Sequence, residues 1–214
     1  MTRPVGTRFP DPSRAPKHGL VFVGGNLSPE MLLDAYDQGI FPWYSDGERV
    51  HWWSPDPRAI IDPEHLHISA SLGRELRRAR FEVTWNQAFS QVICGCAAGR
   101  ADGTWIVAEM IDAYCGLHRL GHAHSIEAWH NGFLVGGLYG VRRGDAFMAE
   151  SMFHTVTNAS KVALVQAVRM LFQEGVRLFD VQFLTPHLES MGAYEIPRSD
   201  YLGRLRTAAR NSAR

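Results

Sequence analysis

Two runs of alternating side chains lie in the stretch His124-Ser-Ile-Glu-Ala-Trp-His-Asn-Gly-Phe-Leu-Val-Gly-Gly-Leu-Tyr139. The dipeptide Asn131-Gly132 separates them, and it is a strong hairpin signal because both residues tolerate positive φ. A second turn at Arg143-Gly-Asp145 leads into the run 146–153, which reads Ala-Phe-Met-Ala-Glu-Ser-Met-Phe. The sequence therefore predicts three antiparallel strands in a meander.

The chain after the meander predicts one helix and one further strand. Asn158 is placed as the helix cap and Gly175 as its stop. Apolar residues at helical spacing form the stripe Ala163, Leu164, Ala167, Val168 and Leu171. The run 177–184 follows as a buried strand. Meander, helix and strand is the order of the acetyltransferase-like fold, so we expect an α+β protein with a mostly antiparallel sheet.

The junction between the last meander strand and the helix bears on cofactor use. In acetyltransferase-like folds a glycine-rich turn at this junction usually holds the pyrophosphate of coenzyme A. Here the junction 151–160 reads Ser-Met-Phe-His-Thr-Val-Thr-Asn-Ala-Ser and contains no glycine. We therefore expect no cofactor, and a coenzyme A acyltransferase is an alternative that only the strand order favours.

Prolines divide the chain into three predicted parts. Residues 1–18 contain four prolines and are expected to form an extended arm. Residues 19–60 are expected to form a small N-terminal domain, and residues 61–214 an acetyltransferase-like (GNAT-like) catalytic domain. The boundary is marked by the prolines at 55, 57 and 63.

Local signals predict several elements within these parts. A strand is expected at 20–23, and a helix is expected to open at Ser28, which is followed by proline. The run 40–58 combines three tryptophans with prolines, so we expect a structured loop or a surface lining there. Asn86 is placed as the cap of a helix that reaches Ala98.

Composition argues against several classes of protein. Lys+Arg and Asp+Glu both number 22, so the formal charge is zero and any nucleic-acid contact must come from a local patch. The three cysteines have no zinc-pair spacing and are interpreted as reduced thiols. The sequence has no apolar run of 18 residues, and its start lacks the apolar segment of a signal peptide. We therefore expect a cytoplasmic protein without membrane contact.

Asp180 and Gln182 lie on one face of the predicted strand 177–184, while Val181 and Phe183 lie on the other. A carboxylate and an amide are costly to bury without partners. Hydrogen bonds to neighbouring loops are one interpretation, because buried polar groups more often serve structure than catalysis. The other interpretation is a site that holds an amine together with a developing oxyanion.

Longer motifs occur between about Gly19 and Tyr201. They are Gly39-Ile-Phe-Pro-Trp43, Trp52-Trp-Ser-Pro-Asp-Pro-Arg58, Leu66-His-Ile-Ser69, Gly103-Thr-Trp-Ile106, Leu120-Gly-His-Ala-His-Ser-Ile-Glu127, Val135-Gly-Gly, Glu150-Ser-Met-Phe153, Asn158-Ala-Ser-Lys161, Asp180-Val-Gln182 and Gly192-Ala-Tyr-Glu-Ile-Pro-Arg198. Together these motifs resemble the bacterial leucyl/phenylalanyl-tRNA–protein transferases over nearly the whole chain.

The resemblance implies an aminoacyltransferase that uses no cofactor. Such an enzyme moves Leu or Phe, and less well Met, from aminoacyl-tRNA to the α-amino group of a protein. The acceptor has Lys or Arg at its N-terminus, and the product is marked for N-end-rule degradation. The implied partners are Leu-, Phe- and Met-tRNA and acceptor proteins, and we expect a monomer.

The resemblance also implies a catalytic set. Asp180 resembles the carboxylate that binds the incoming α-amino group and can receive its proton. If the leaving ribose hydroxyl takes that proton instead, Asp180 only positions the amine. Gln182 resembles the amide that orients the nucleophile or the carbonyl, and Glu150 resembles the pocket carboxylate that holds both.

Binding residues are implied in the same way. Trp43 and Trp105, which the sequence alone would assign to the core, resemble the residues that sandwich the terminal adenosine. Arg74, Arg77 and Arg78 share one helix face and resemble the basic helix that contacts the acceptor stem; a solvated helix face is the alternative. The candidates for the apolar amino-acid pocket are Leu138, Phe147, Met152, Leu164, Leu171 and Phe179.

Two more alternatives to a transferase belong to other classes of protein. A non-catalytic module that binds RNA ends would use the same tryptophans and arginines, but it would not need the three polar residues of the catalytic set. A histidine–metal hydrolase is suggested by His118 and His122 at i and i+4, yet Gly121 is expected to end the helix between them. We therefore expect no metal, and we expect His122 and His124 to bond backbone groups.

Overall fold

The computed structural model describes residues 8–98 and 104–210. Its strands are β1 (Leu20–Val23), β2 (Phe41–Pro42), β3 (His51–Trp53), β4 (Arg58–Ile61), β5 (Glu82–Trp85), β6 (Ala123–His130), β7 (Phe133–Arg143), β8 (Ala146–His154), β9 (Leu178–Gln182) and β10 (Tyr194–Ile196). Its helices are α1 (Pro29–Asp37), α2 (Ala70–Arg78), α3 (Phe89–Ala97), α4 (Ala108–Arg119), α5 (Ala159–Gln173), α6 (Pro186–Ser190) and α7 (Arg198–Arg210).

The predicted meander is confirmed and forms the centre of the larger sheet. β6 and β7 pair antiparallel through Asn131 and Gly132, whose φ values are 53° and 78°, and β7 pairs antiparallel with β8. Positive φ at both turn residues is what a two-residue hairpin on twisted strands requires. Helix α5 follows, and β9 then lies parallel to β8. This is the acetyltransferase-like arrangement that the order of elements predicts.

The larger sheet has the strand order β10-β4-β9-β8-β7-β6-β5, and β8–β9 is its parallel pair. α5 packs on one face of the sheet, while α3 and α4 pack on the other. The parallel ladder ends at the pair Met148 and Asp180. Glu150 on β8 and Gln182 on β9 therefore lie beyond the ladder, where the space between the two strands is available for a site.

The N-terminal region forms a three-stranded sheet with the order β1-β3-β2. The predicted start of α1 is confirmed, because the Ser28 Oγ accepts the N–H of Met31 at 3.4 Å. Of the two expectations for 40–58, the structured loop is wrong where β2, β3 and the start of β4 lie, whereas Trp43 does line a surface cavity. Aromatic side chains favour extended backbone, and Pro42 is tolerated because β2 is an edge strand.

The N-terminal sheet shares a core with the larger sheet. β4 crosses the predicted boundary between residues 60 and 61 and pairs with both β9 and β10. Tyr36 of α1 and Trp52 of β3 belong to the same apolar cluster as Tyr114 of α4 and Leu205 of α7. The division into arm, small domain and catalytic domain stays a prediction, and β4 connects its last two parts.

Two asparagines predicted as helix caps make different contacts. Asn86 has φ of 58°, and its Oδ1 accepts the N–H of Ser125 at 3.0 Å. Helix α3 begins later, at Phe89, and has no side-chain cap. Asn158 occupies the cap position of α5 with φ of 72°, but its side chain makes no capping bond. Asparagine enters the left-handed region more readily than most residues, so both positions are backbone turns.

Candidate active site

Asp180 is fully buried on β9, and donors already occupy both of its oxygens. Oδ1 accepts Arg58 Nε at 2.8 Å and the backbone N–H of Gln182 at 2.9 Å. Oδ2 accepts Arg58 Nη2 at 2.6 Å and the Tyr201 hydroxyl at 2.9 Å. The cost of burying this carboxylate is therefore met by charge-assisted hydrogen bonds.

Arg58 reaches Asp180 from the neighbouring strand β4 and is also buried. Its Nη1 donates to the carbonyl of Gly39 at 3.2 Å, and its guanidinium lies 4.7 Å from the Phe41 ring and 4.5 Å from the Tyr201 ring. Burial is the largest single effect and lowers the pKa of Arg58, but the charge of Asp180, the hydrogen bond to it and the nearby Tyr201 and Glu150 together raise the pKa above its ordinary value. The guanidinium of Arg58 therefore stays charged although it is buried.

Gln182 ends β9 in a backbone conformation that is rare for its residue type. Its φ is 59°, in the left-handed region. Its side-chain Nε2 donates to Glu150 Oε1 at 2.9 Å. Its Oε1 has no hydrogen-bond partner within the described ranges, so this amide can accept a hydrogen bond from a bound molecule.

Glu150 lies on β8 and is 9% exposed. Burial raises the pKa of Glu150 to about 8, and the nearby charge of Asp180 adds to the rise, while the Tyr36 hydroxyl and the charge of Arg58 oppose it. A carboxyl group with this pKa is mostly protonated at neutral pH and exchanges its proton in the working range of an enzyme.

Two tyrosines extend the polar network behind Glu150. The Tyr114 hydroxyl donates to Glu150 Oε2 at 3.4 Å, and it shares a short hydrogen bond with the Tyr36 hydroxyl. Burial, followed by the charge of Glu150, raises the pKa of both tyrosines well above the usual value. Both phenols therefore stay protonated and can act as donors towards Glu150.

Two cavities meet at Glu150 and Gln182. The aromatic cavity has a volume of about 270 Å³ and is lined by Phe41, Pro42, Trp43, Trp105, Glu150, Val181, Gln182, Phe183, Thr185 and Leu188. The side-chain cavity has a volume of about 190 Å³ and is lined by Leu138, Ala149, Glu150, Ser151, Met152, Val181, Gln182, Thr185, His187 and Leu188. Asp180 lines neither cavity and stands behind Gln182.

The structure brings Trp43 and Trp105 together with the polar pair. Both line the aromatic cavity. Trp43 is 42% exposed, and its ring packs at a tilt against Phe183, 5.5 Å between centroids, and edge-on against Trp53. Trp105 is half-buried. An exposed indole beside a cavity is available for stacking, which a core tryptophan would not be.

The six candidates for the amino-acid pocket divide into two groups. Leu138 and Met152 line the side-chain cavity. The other four are fully buried in the core cluster around α5 and line neither cavity; they are Phe147, Leu164, Leu171 and Phe179. The rings of Phe147 and Phe179 pack against each other at 5.2 Å.

Several lining residues were not among the sequence candidates. Phe183 is 38% exposed, although it follows a buried strand. Thr185 and Leu188 come from the start of α6, where the Thr185 side chain caps Leu188 N–H and proline follows. The Thr-Pro pair is a helix-start signal that could have placed these residues, whereas no local signal predicts the exposure of Phe183.

The predicted basic patch lies on α2. Arg74, Arg77 and Arg78 are all exposed, and none forms an ion pair with another described residue. Leu72 faces the core, and Ser69 caps the helix through its Oγ. The three guanidinium groups are therefore free to meet phosphates.

The histidines do not assemble a metal site in the described part of the chain, where no group of three His, Cys, Asp or Glu residues could hold an ion. His118 Nδ1 donates to the carbonyl of Ala123 at 2.8 Å. His124 Nδ1 accepts from the Asn86 amide at 2.9 Å, so the expected backbone bond of His124 is wrong. Burial lowers the pKa of His124 to about 4.

Within residues 8–98 and 104–210, no helix has the length and apolarity that crossing a membrane would need.

The sheet order, in which the parallel strands β8 and β9 part beside Glu150 and Gln182, is that of the acetyltransferase-like fold. Two family models match the chain: the leucyl/phenylalanyl-tRNA protein transferase model over residues 60–206, and the N-terminal domain model of the same transferase over residues 25–56. The chain belongs to the leucyl/phenylalanyl-tRNA–protein transferase family, as its motifs predict.

Individual relatives carry the same family name. A leucyl/phenylalanyl-tRNA–protein transferase of Anaeromyxobacter sp. (strain Fw109-5) is 56% identical over 206 residues, which are 94% of this chain and 87% of the relative. The transferase of Edwardsiella ictaluri is 53% identical over 92% of this chain and 82% of its own length. The similarity therefore extends through both the N-terminal sheet and the larger sheet.

Similar solved structures are distant. L-PGS from Bacillus licheniformis is 13% identical, with a TM-score of 0.42 over 76% of this chain and 55% of that chain. A GCN5-related N-acetyltransferase-like protein from Streptococcus suis is 13% identical, with a TM-score of 0.39 over 89% of this chain and 88% of that chain.

Proposed function

We propose that this chain transfers Leu or Phe, and less well Met, from aminoacyl-tRNA to the α-amino group of proteins that begin with Lys or Arg. The enzyme works in the cytoplasm as a monomer, without metal or cofactor, and its products enter N-end-rule degradation. The observation that carries the proposal is the hydrogen-bonded pair Gln182 and Glu150 at the junction of the two cavities.

The two cavities suit the two ends of an aminoacyl-adenosine. The terminal adenine stacks on Trp43 and Trp105 in the aromatic cavity, a contact worth about 1–3 kcal/mol. The amino-acid side chain enters the side-chain cavity between Leu138 and Met152. Methionine adapts its shape to its neighbours, so it can accept both branched and aromatic side chains. The ester carbonyl then lies at the junction, beside Gln182.

The chemistry requires positioning more than strong base catalysis. The ester is already activated, and an α-amino group has a pKa of about 8, so a useful share is unprotonated near neutral pH. The Gln182 Oε1 accepts an N–H of the amine and orients its lone pair towards the carbonyl carbon. The new C–N bond forms, the bond from the carbonyl carbon to the ribose oxygen breaks, and the surplus amine proton passes to that oxygen.

The charged groups take supporting parts in this proposal. Asp180 has four donors on its two oxygens, so it fixes Gln182 and leaves the amine to the glutamine. Glu150, with its pKa of about 8, holds the other end of the Gln182 amide. The exposed arginines of α2, Arg74, Arg77 and Arg78, bind phosphates of the acceptor stem.

A transfer assay tests the function. The purified chain is incubated with tRNA carrying labelled Leu and with a peptide that begins with Arg. We expect labelled peptide from the wild type and little from Gln182→Ala, and a melting temperature close to that of the wild type should show that this variant is folded. Two control peptides, one with an acetylated N-terminus and one beginning with Ala, should stay unlabelled. A folded wild type that labels none of the peptides would overturn the proposal, and acetylation of the Arg peptide by acetyl-coenzyme A would favour the coenzyme A acyltransferase.

A further inference from the structure

We propose that Arg58 is a positioning residue for the transfer reaction. Arg58 fixes the carboxylate of Asp180, and Asp180 in turn holds the Gln182 amide at the junction of the two cavities. Arg58 touches neither cavity and lies one residue further from the reacting atoms than Asp180. The inference rests on the proposed function and adds to it the residue that sets the geometry of the glutamine.

The clamp between Arg58 and Asp180 has a fixed geometry. Arg58 binds Asp180 with two parallel bonds, Nε to Oδ1 at 2.8 Å and Nη2 to Oδ2 at 2.6 Å. A bidentate guanidinium fixes the plane of a carboxylate, which a single ammonium does not. The rings of Phe41 and Tyr201 and the Gly39 carbonyl hold the guanidinium itself in place.

The backbone of Gln182 depends on the plane of this carboxylate. Its φ of 59° is unfavourable for a residue with a side chain. The bond from its N–H to Asp180 Oδ1, 2.9 Å long, supports this conformation. If the carboxylate plane turns, the N–H is left without an acceptor and the backbone can relax, which moves the side-chain amide away from Glu150.

Arg58 is also linked to the donor site. Phe41, which packs against the guanidinium, lines the aromatic cavity. Gly39, which accepts from Nη1, lies just before the segment that carries Phe41 and Trp43. Arg58 therefore joins a wall of the donor cavity to the strand that ends in Gln182, and a displacement of the reacting groups by about 1 Å is enough to slow such a reaction about 100-fold.

The test is a pair of substitutions in two backgrounds. Arg58→Lys keeps the charge and removes the fork, so we expect kcat to fall about 10- to 100-fold, with little change in KM for Leu-tRNA. In the Gln182→Ala background the same substitution should change the residual rate less than about twofold, because the effects of residues that act through one another are not additive.

Arg198→Lys is the matched control, since Arg198 is buried but bonds the backbone carbonyls of Pro16 and Ser54 outside the site. It should lower Tm and leave kcat unchanged.

The outcomes separate the inference from the function. If the wild type transfers Leu and Arg58→Lys lowers kcat equally in both backgrounds, or not at all, the positioning role is wrong and the function stands. If the wild type does not transfer Leu, both the proposed function and the positioning role are wrong.

A second variant is used if Arg58→Lys fails to fold. The double substitution Arg58→Met with Asp180→Leu removes both members of the buried pair, a change that often preserves folding. The folded pair should have the kcat of Gln182→Ala, and wild-type kcat in the pair would overturn the inference.

Discussion

Gln182 Nε2 donates a 2.9 Å hydrogen bond to Glu150 Oε1, and this bond joins β9 to β8 just beyond the end of their parallel ladder. Both residues line both cavities. An ionised carboxylate accepts more strongly than a neutral carboxyl group. Ionisation of Glu150 should therefore fix the Gln182 amide with its oxygen free for the amine, and the protonation of one residue sets the orientation of the other.

Glu150 should make the stability of the protein depend on pH. Its pKa in the fold, about 8, lies above the ordinary value of 4.5, so folding favours the protonated form. The stabilisation is fully present below the ordinary pKa and is lost as the pH rises through the pKa of the folded state. Glu150→Gln removes this titration. Urea unfolding should show the variant gaining stability relative to the wild type from about pH 5 to about pH 9, whereas a constant difference would contradict the raised pKa.

Asp180→Asn should lower both transfer and stability. Stability should fall because the variant leaves Arg58 charged and buried without its partner. Removing one member of a buried ion pair typically costs about 3–5 kcal/mol. Chemical denaturation measures this loss of unfolding free energy.

Asp37→Asn is the control, because it removes the partner of Arg143 at the surface. In this variant the unfolding free energy should change by less than about 1 kcal/mol. If both variants lose the same unfolding free energy, the buried Arg58–Asp180 pair stabilises the fold no more than a surface pair does.

Trp105→Ala should weaken the donor site while leaving most of the stability. If the indole stacks on adenine, kcat/KM should fall about 5- to 150-fold, which corresponds to about 1–3 kcal/mol, for tRNA and for short aminoacyl-adenosine donors alike. Trp52 is the matched control because it is fully buried in the core, and Trp52→Ala should cost about 3–5 kcal/mol of stability. A Trp105 variant that melts as low as the Trp52 variant, but binds donor normally when folded, would make Trp105 structural.

Arg77→Glu together with Arg78→Glu should weaken binding of whole tRNA and spare the short donors. Binding to phosphates releases counterions, so the salt dependence of tRNA binding should also flatten, by about one unit of log–log slope for each phosphate that the variant no longer binds. Arg14→Glu with Arg119→Glu is a control of equal charge change on exposed residues outside α2. If both double variants bind tRNA equally weakly, overall charge explains the weaker binding and the patch on α2 does not.

The sequence predicts the elements that depend on neighbours along the chain. The Asn131-Gly132 turn, the stop of α5 at Gly175 and the polar pair on β9 all follow from local signals. The partner of that pair does not, because Arg58 is 122 positions from Asp180. Their meeting depends on the pairing of β4 with β9, which no local pattern specifies.

The candidates for the amino-acid pocket also show that local sequence patterns do not specify contacts between strands. Alternation along a strand tells which face a residue occupies, but not at which end of the strand the sheet opens. Phe147 and Phe179 are paired within the β8–β9 ladder and are therefore packed in the core. Met152 lies past the end of the ladder and lines the side-chain cavity. The divergence of the two strands decides between these outcomes, and it is a property of the whole sheet.

Met152→Ala should change the choice between Leu and Phe. Shortening this side chain enlarges the side-chain cavity where it is lined by Leu138 and Met152, so the larger Phe side chain gains room while Leu fits more loosely. Each methylene of fit is worth about 1–3 kcal/mol in such pockets, so the ratio of kcat/KM for Phe-tRNA to that for Leu-tRNA should rise about tenfold or more. Competition between the two charged tRNAs in one reaction measures the ratio directly.

Leu164→Ala separates this effect from general loosening of the core. Leu164 is fully buried on α5 and lines neither cavity, so its truncation should cost about 2–5 kcal/mol of stability. The Phe to Leu ratio should stay at the wild-type value in this variant, because no atom of the side-chain cavity is removed. If Leu164→Ala shifts the ratio as much as Met152→Ala, the amino-acid side chain binds deeper in the core cluster, and the cavity beside Gln182 has another occupant.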